Sequence, residues 1–232
     1  MDLRDRLAVF EKLMAIYDRF TATLGPFACG ERCDCCCTGN VTMTTLEGYR
    51  LIEGMAGSRQ AATLFSRLKP YLRRNRFQPT LTTNMLARRV RDEEPVPDEG
   101  GNPEWGACSA LSNAACTVYE VRPFGCRSFF STRRCGDGGA AQMPPVLVSV
   151  NTIFLQTIEH IDRPGCSGNF VDVLLALETK GRRHRYEQGR FDCKGGGLLA
   201  NQPTPVFMIP PEHRTTVLPV MEAIRSIHVA TD

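Results

Sequence analysis

Cys29-Gly30-Glu31-Arg32-Cys33-Asp34-Cys35-Cys36-Cys37-Thr38-Gly39-Asn40-Val41-Thr42-Met43-Thr44-Thr45-Leu46-Glu47 is the stretch on which the reading of this chain turns. Its first half holds five cysteines within nine residues. Its second half is a short extended run, Val41-Thr42-Met43, followed by a helix start. Glu47 lies three residues after Thr44, the spacing of a capping box, in which each side chain satisfies the other's free backbone amide. A thiol-rich irregular loop thus leads into a strand and then a helix. Three more cysteines follow at Cys108, Cys116 and Cys126.

Thiols at this density point to a soft metal ion or an iron–sulfur cluster. Cys33 and Cys36 have the two-residue gap that lets a tight turn aim both sulfurs at one metal, and Cys29 is close enough to join them. Adjacent residues such as Cys36 and Cys37 project apart. That leaves a polynuclear centre, two neighbouring sites, or one ligand beside a spare thiol. Softness does not choose between zinc and iron. Eleven cysteines, an odd number, fit complete disulfide pairing poorly.

With 232 residues the chain can bury a sizeable core without covalent staples. Met1 to Arg6 carries charges of both signs and lacks the apolar stretch of a signal peptide. No apolar run approaches a membrane span. The expectation is a cytoplasmic protein with reduced thiols and no membrane association. Its net charge of +3, from 28 basic residues (24 of them Arg) and 25 acidic ones, is too small to indicate nucleic acid.

Outward from the cysteine loop, the pattern is helical. Leu3, Leu7, Phe10, Met14, Tyr17 and Leu24 follow three–four spacing on one face, with Asp2 as N-cap and Gly25-Pro26 as the stop. Helices are predicted from Thr44 to about Gly54–Gly57, over about 58–72, and over about 82–91. Arg73, Arg74, Arg76, Arg88, Arg89 and Arg91 read as solvated faces. Residues 92–103, acidic and rich in Pro and Gly, read as an exposed loop. Pro144-Pro145 introduces a helix carrying Leu147, Val150, Phe154, Ile158 and Ile161, which Pro164-Gly165 stops. Another is expected from Phe170 to Thr179 with Gly181 near its C-cap. The last is expected from Val217 to Ile227, with Pro219 in its first turn. The glycine runs 136–139 and 195–197 read as loops. His160, His184, His213 and His228 are isolated. Arg182-Arg183-His184-Arg185 is a basic strip that reads first as a solvated turn and second as a contact for an acidic protein partner.

The ordered blocks resemble a known family, the zinc- or iron-chelating CxxCxxCC domains of YkgJ type. Cys29-x3-Cys33-x2-Cys36-Cys37 is similar to its signature, with one extra residue in the first gap. The 41–47 segment and Cys108-Ser109-Ala110-Leu111 follow in order. Cys116-Thr117-Val118-Tyr119-Glu120-Val121-Arg122-Pro123-Phe124-Gly125-Cys126-Arg127 resembles the second half closely. Pro164-Gly165-Cys166 resembles a later Cys-Pro-Gly element but lacks its proline. The resemblance implies Cys29, Cys33, Cys36, Cys37, Cys108, Cys116, Cys126 and Cys166 as metal ligands, and leaves Cys35, Cys135 and Cys193 outside the set. A tetrathiolate site on zinc, or on an oxidised [4Fe-4S] cluster, carries about −2 charge. Arg122 and Arg127 are placed to offset it, while Tyr119 and Phe124 read as packing residues.

The Cys29-x3-Cys33-x2-Cys36 spacing is also that of radical S-adenosylmethionine enzymes, but the strand–helix series of their barrel is missing. The flagellin lysine N-methylases carry a similar CxxxCxxCC cluster. That likeness implies the alternative of an iron–sulfur-dependent protein lysine N-methylase using S-adenosylmethionine. No nucleophile elbow, P-loop or zinc-protease motif is present. The expectation is therefore a mainly α protein with short strands or hairpins around a cysteine-rich metal centre. Its parts are an N-terminal helix (1–28), a cysteine-cluster domain (29–170) and a C-terminal helical extension (171–232).

Overall fold

Helix α1, Leu3–Ala22, begins where the sequence places it, because the Asp2 carboxylate accepts the Asp5 amide at 2.9 Å. In the computed structural model, residues 1–30, 32–56, 59–99, 105–135 and 140–229 are described. The protein is mainly helical with a few short antiparallel strands. Strand β1 (Thr42–Thr44) runs into α2 (Thr45–Gly54) through the expected capping box. The Glu47 amide donates to Thr44 Oγ1 at 3.3 Å, and the Thr44 amide donates to Glu47 Oε2 at 2.8 Å. Thr44→Ala removes one half of that exchange. It should destabilise the protein by about 1 kcal/mol, while Thr44→Ser stays near wild type; urea denaturation measures both.

Helix α3 (Arg59–Leu68) ends sooner than expected and continues as a 3-10 turn over Lys69–Arg73. Pro70 removes an amide donor, which accounts for the change. Helix α4 (Thr83–Arg91) is capped by Thr82. Strands β2 (Leu111–Ser112) and β3 (Ala115–Cys116) form a hairpin whose two central residues, Asn113 and Ala114, both have positive φ. The four-residue helix α5 (Phe124–Arg127) follows. Helix α6 (Pro145–Ile161) matches the reading from Pro144-Pro145. Strand β4 (Cys166–Asn169) pairs antiparallel with β1, Thr42 facing Asn169, and with β5 (Leu199–Ala200), Cys166 facing Ala200.

Two helix predictions need correction. The segment from Phe170 is split: α7 (Phe170–Ala176) ends, and Thr179 caps a new helix, α8 (Lys180–Glu187). Gly181 is therefore inside α8 and is not a C-cap. The Arg182–Arg185 strip is helical, with His184 beside Glu187. Helix α9 (Arg214–Val229) starts three residues earlier than expected, so Pro219 falls in its second turn. The predicted loops at 100–103 and 136–139 lie outside the described residues, as does the His228 side chain.

Two apolar clusters hold these elements. One joins α1, α6 and α9 through Phe10, Leu13, Tyr17, Phe154, Val217 and Ile224, with Phe124 inserted from α5. The other joins α2, α3, α7 and α8 through Leu51, Leu64, Val173, Leu177 and Tyr186. Between the clusters lies a buried polar hub. Asp162 accepts hydrogen bonds from Arg6 Nη1 (2.7 Å), Tyr186 Oη (2.6 Å), Thr45 Oγ1 (2.7 Å), the Leu46 amide (2.9 Å) and Asn201 Nδ2 (3.1 Å). Burial pushes its carboxyl up to about 6, while the Tyr186 and Thr45 hydroxyls and the Arg6 charge act against that rise. A side chain at Gly165 would collide with Thr45 Oγ1 and the Asp162 carboxylate. No helix among the described residues is long and apolar enough to cross a membrane.

Candidate metal centre

Backbone pairings bring cysteine-bearing segments that are far apart in sequence alongside one another. The Cys108 amide donates to the Cys37 carbonyl at 2.8 Å, and Thr38 bridges to Ala107, so the first cysteine loop lies along the entry to the β2–β3 hairpin. The hairpin turn then returns the chain so that Cys116 faces Leu111. Next comes the α5 turn, whose first amide, that of Phe124, donates to Glu47 Oε1 at 2.7 Å. Glu47 therefore anchors the turn carrying Cys126 to the start of α2. On the other side of the loop, the Ala28 amide donates to the Ser131 carbonyl at 2.8 Å, and the Ser131 amide donates to Cys29 Sγ at 3.2 Å.

Two thiol groups result. Cys126 interacts electrostatically with Cys108, Cys116 and Cys36, and burial followed by these neighbours pushes its thiol well up. Burial also raises Cys108, opposed by the nearby amides of Ala110 and Leu111. At Cys116 burial is opposed by the Val118 amide and the Arg122 charge. Cys36 is raised by its hydrogen bond with the Cys37 thiol and then by burial. The second group gathers Cys33, Cys36 and Cys135 around Cys29.

The donor set fits a soft metal in chemistry. Thiol sulfurs are its ligands, and a backbone amide such as the one that Ser131 directs at Cys29 Sγ is a donor that stabilises a thiolate. Among the described residues, however, no three Cys, His, Asp or Glu side chains converge to metal-binding spacing. The sulfurs of this chain are neighbours and are not closed on a common point.

Cys166 stands apart from them. It forms a disulfide with Cys193, with Cα atoms 5.8 Å apart, which corrects both its expected place among the ligands and the expectation that all thiols are free. The cause is the return of the chain to pair β5 with β4, helped by Gly195, Gly196 and Gly197, all with positive φ. The other nine cysteines are free. Of the two arginines expected beside the centre, Arg122 lies near Cys116, with its guanidinium 3.7 Å from the Tyr119 ring centroid and a 2.7 Å hydrogen bond to the Tyr119 carbonyl. Arg127 turns away, pairing with Asp18 of α1 at 2.6 Å. Arg76 is not solvated as expected, because it pairs with the buried Asp172.

No family model, curated protein or solved structure matches this chain. The likeness to the CxxCxxCC domains therefore stands on the cysteine blocks themselves.

The sequence did not point to Glu47 as an anchor for α5, or to Cys135 as a neighbour of Cys29. The capping box already occupied Glu47 in the reading, and the Ser131–Ala28 pairing that brings Cys135 close spans about a hundred residues.

Proposed function

We propose that this protein binds a soft metal, zinc or iron, on thiolates, with Cys36, Cys108, Cys116 and Cys126 as the principal ligands. Cys29, Cys33 and Cys37 form the adjoining part of the same centre. The observation that carries this reading is the meeting of three separated cysteine-bearing segments: the 29–37 loop is paired to the hairpin through Cys108 and Cys37, the turn of Cys126 is anchored by Glu47, and the Ser131 amide donates to Cys29 Sγ. A bound metal would supply the bonds that close these segments on one another, and its loss would leave the 29–37 loop held to the hairpin by the Cys108–Cys37 and Thr38–Ala107 backbone pairings. Arg122 offsets the negative charge that deprotonated thiols bring. An iron–sulfur cluster is the form this centre takes if sulfide accompanies the metal.

The test is anaerobic purification followed by measurement of zinc, iron and acid-labile sulfide per chain. Cys108→Ser and Cys126→Ser should lose most of the metal and melt at lower temperature. Cys35→Ser, at an exposed thiol, should keep both near wild type. A wild-type chain without metal, or Cys126→Ser with full metal content, overturns the proposal.

A further inference from the structure

One covalent tie, the Cys166–Cys193 bridge, fastens residues 192–197 to the rest of the molecule. Asp192, Lys194, Gly195, Gly196 and Gly197 are exposed. Among the described residues, the backbone of this stretch makes a single hydrogen bond, from the Lys194 amide to Asp192 Oδ1 at 2.9 Å, which lies within the stretch itself. Its three glycines all have positive φ, and glycine gives up more conformational freedom on ordering than any other residue. Few contacts to the fold and a large gain of freedom on release mark a segment that opens locally.

Both flanks of the stretch are anchored without the bridge. Upstream, the Arg190 amide donates to the Arg185 carbonyl at 2.8 Å, and Phe191 meets Tyr186 edge-on at 5.9 Å. Downstream, β5 pairs with β4, and the Asn201 amide donates to the Gly165 carbonyl at 3.1 Å. Cys166 itself sits in β4, between β1 and β5, with its amide on Thr45 Oγ1 at 3.0 Å. The bridge therefore joins a firmly held residue to a loosely held one. Where the stretch touches the fold, the approach is close: a side chain at Gly197 would collide with Gln78, and one at Gly168 would collide with Leu198 and crowd the Gly197 carbonyl. Gln78 in turn donates to the buried Asp172 at 2.8 Å.

We propose that residues 192–197 form a redox-controlled strap, released by a dithiol. The dithiol supplies two electrons and two protons: the Cys166–Cys193 S–S bond breaks, both residues become thiols, and the dithiol closes to its own disulfide. Cys193 then keeps only the contact of its sulfur with the Gly165 carbonyl, 3.6 Å away, and a thiol is a weak donor. The stretch lifts from Gln78 and from the Gly168 flank of β4, while β4, β5 and α8 stay in place. This is an order–disorder change confined to one segment, driven by a thiol–disulfide step. It stands apart from the proposed metal centre, to which neither cysteine belongs.

Trypsin reports on the strap, because the Lys194–Gly195 peptide bond lies inside it. Protein purified without reductant is digested briefly with and without dithiothreitol, and cleavage at that bond is followed by mass spectrometry. Cleavage tracks the population of the open form, so dithiothreitol should raise its rate about tenfold or more. Cys193→Ser should be cleaved at the fast rate without reductant and gain nothing from it. The same variant separates the bridge from any effect of dithiothreitol on the nine free thiols. After reduction, iodoacetamide should label Cys193 about tenfold faster than Cys166, which remains in the sheet, with the far-ultraviolet circular dichroism unchanged. Equal cleavage in the two states, or a Cys193→Ser chain as resistant as the bridged protein, overturns the proposal. So does labelling of both cysteines at one rate, since the sheet then opens together with the strap.

Discussion

Asp162→Ala should cost the protein about 3–5 kcal/mol, because it leaves the Arg6 guanidinium buried without its counter-charge. Arg6 is 2% exposed and Asp162 fully buried, and the pair meets at 2.7 Å. The same carboxylate also receives Tyr186, Thr45, Leu46 and Asn201, so its loss strips acceptors from α2, α8 and the 199–201 strand end together. Against a typical total stability of about 5–15 kcal/mol, this is a large fraction. Urea denaturation should show the midpoint displaced to much lower concentration. The double variant Arg6→Met/Asp162→Leu should recover a substantial part of the loss, since apolar side chains of similar size fill the space without a stranded charge. A single variant within 1 kcal/mol of wild type would mean that the hub is wetter and more adaptable than its burial indicates.

Phe124→Ala is the second substitution with a large expected effect, about 3–5 kcal/mol for a fully buried aromatic. Its ring meets Tyr17 edge-on at 4.8 Å and stacks on Phe154 at 5.5 Å, joining the α5 turn to α1 and α6. The residue also sits two positions before Cys126, on the turn anchored by Glu47. Truncation should therefore lower both the melting temperature and the metal retained after dialysis. Phe124→Leu, which keeps most of the volume, should give a smaller change in each. Thermal melts and metal analysis on the same samples separate the two effects.

The parts of the fold written in local chemistry were legible. Asp2, Thr44 with Glu47, and Pro144-Pro145 mark helix starts through groups that act within one turn, and α1, α2 and α6 begin there. Failures came where one local sign had two meanings. Gly181 reads as a stop, yet the Thr179 cap starts a new helix and tolerates a glycine within it. Pro219 reads as a first-turn proline, yet α9 begins at Arg214, so the residue lies deeper. The candidate site was half legible for a related reason. Cysteine spacing marks which residues carry sulfur, but neighbourhood is set by the Cys37–Cys108 and Ala28–Ser131 backbone pairings, which no spacing encodes. The Arg6–Asp162 pair, separated by 156 positions, left no trace in the pattern at all.

The Cys166–Cys193 bridge sets a condition on how this chain can live with its own chemistry. The thiols of the proposed centre would hold a metal only while reduced, whereas the bridge exists only while oxidised, so the two make opposite demands on the same surroundings. Thiol–disulfide exchange requires an attacking thiolate to reach a sulfur. Within the bridge the two sulfurs differ in access: Cys166 is buried, whereas Cys193 is partly exposed. A reducing thiolate would therefore attack Cys193 and release Cys166 as the leaving thiolate inside the molecule.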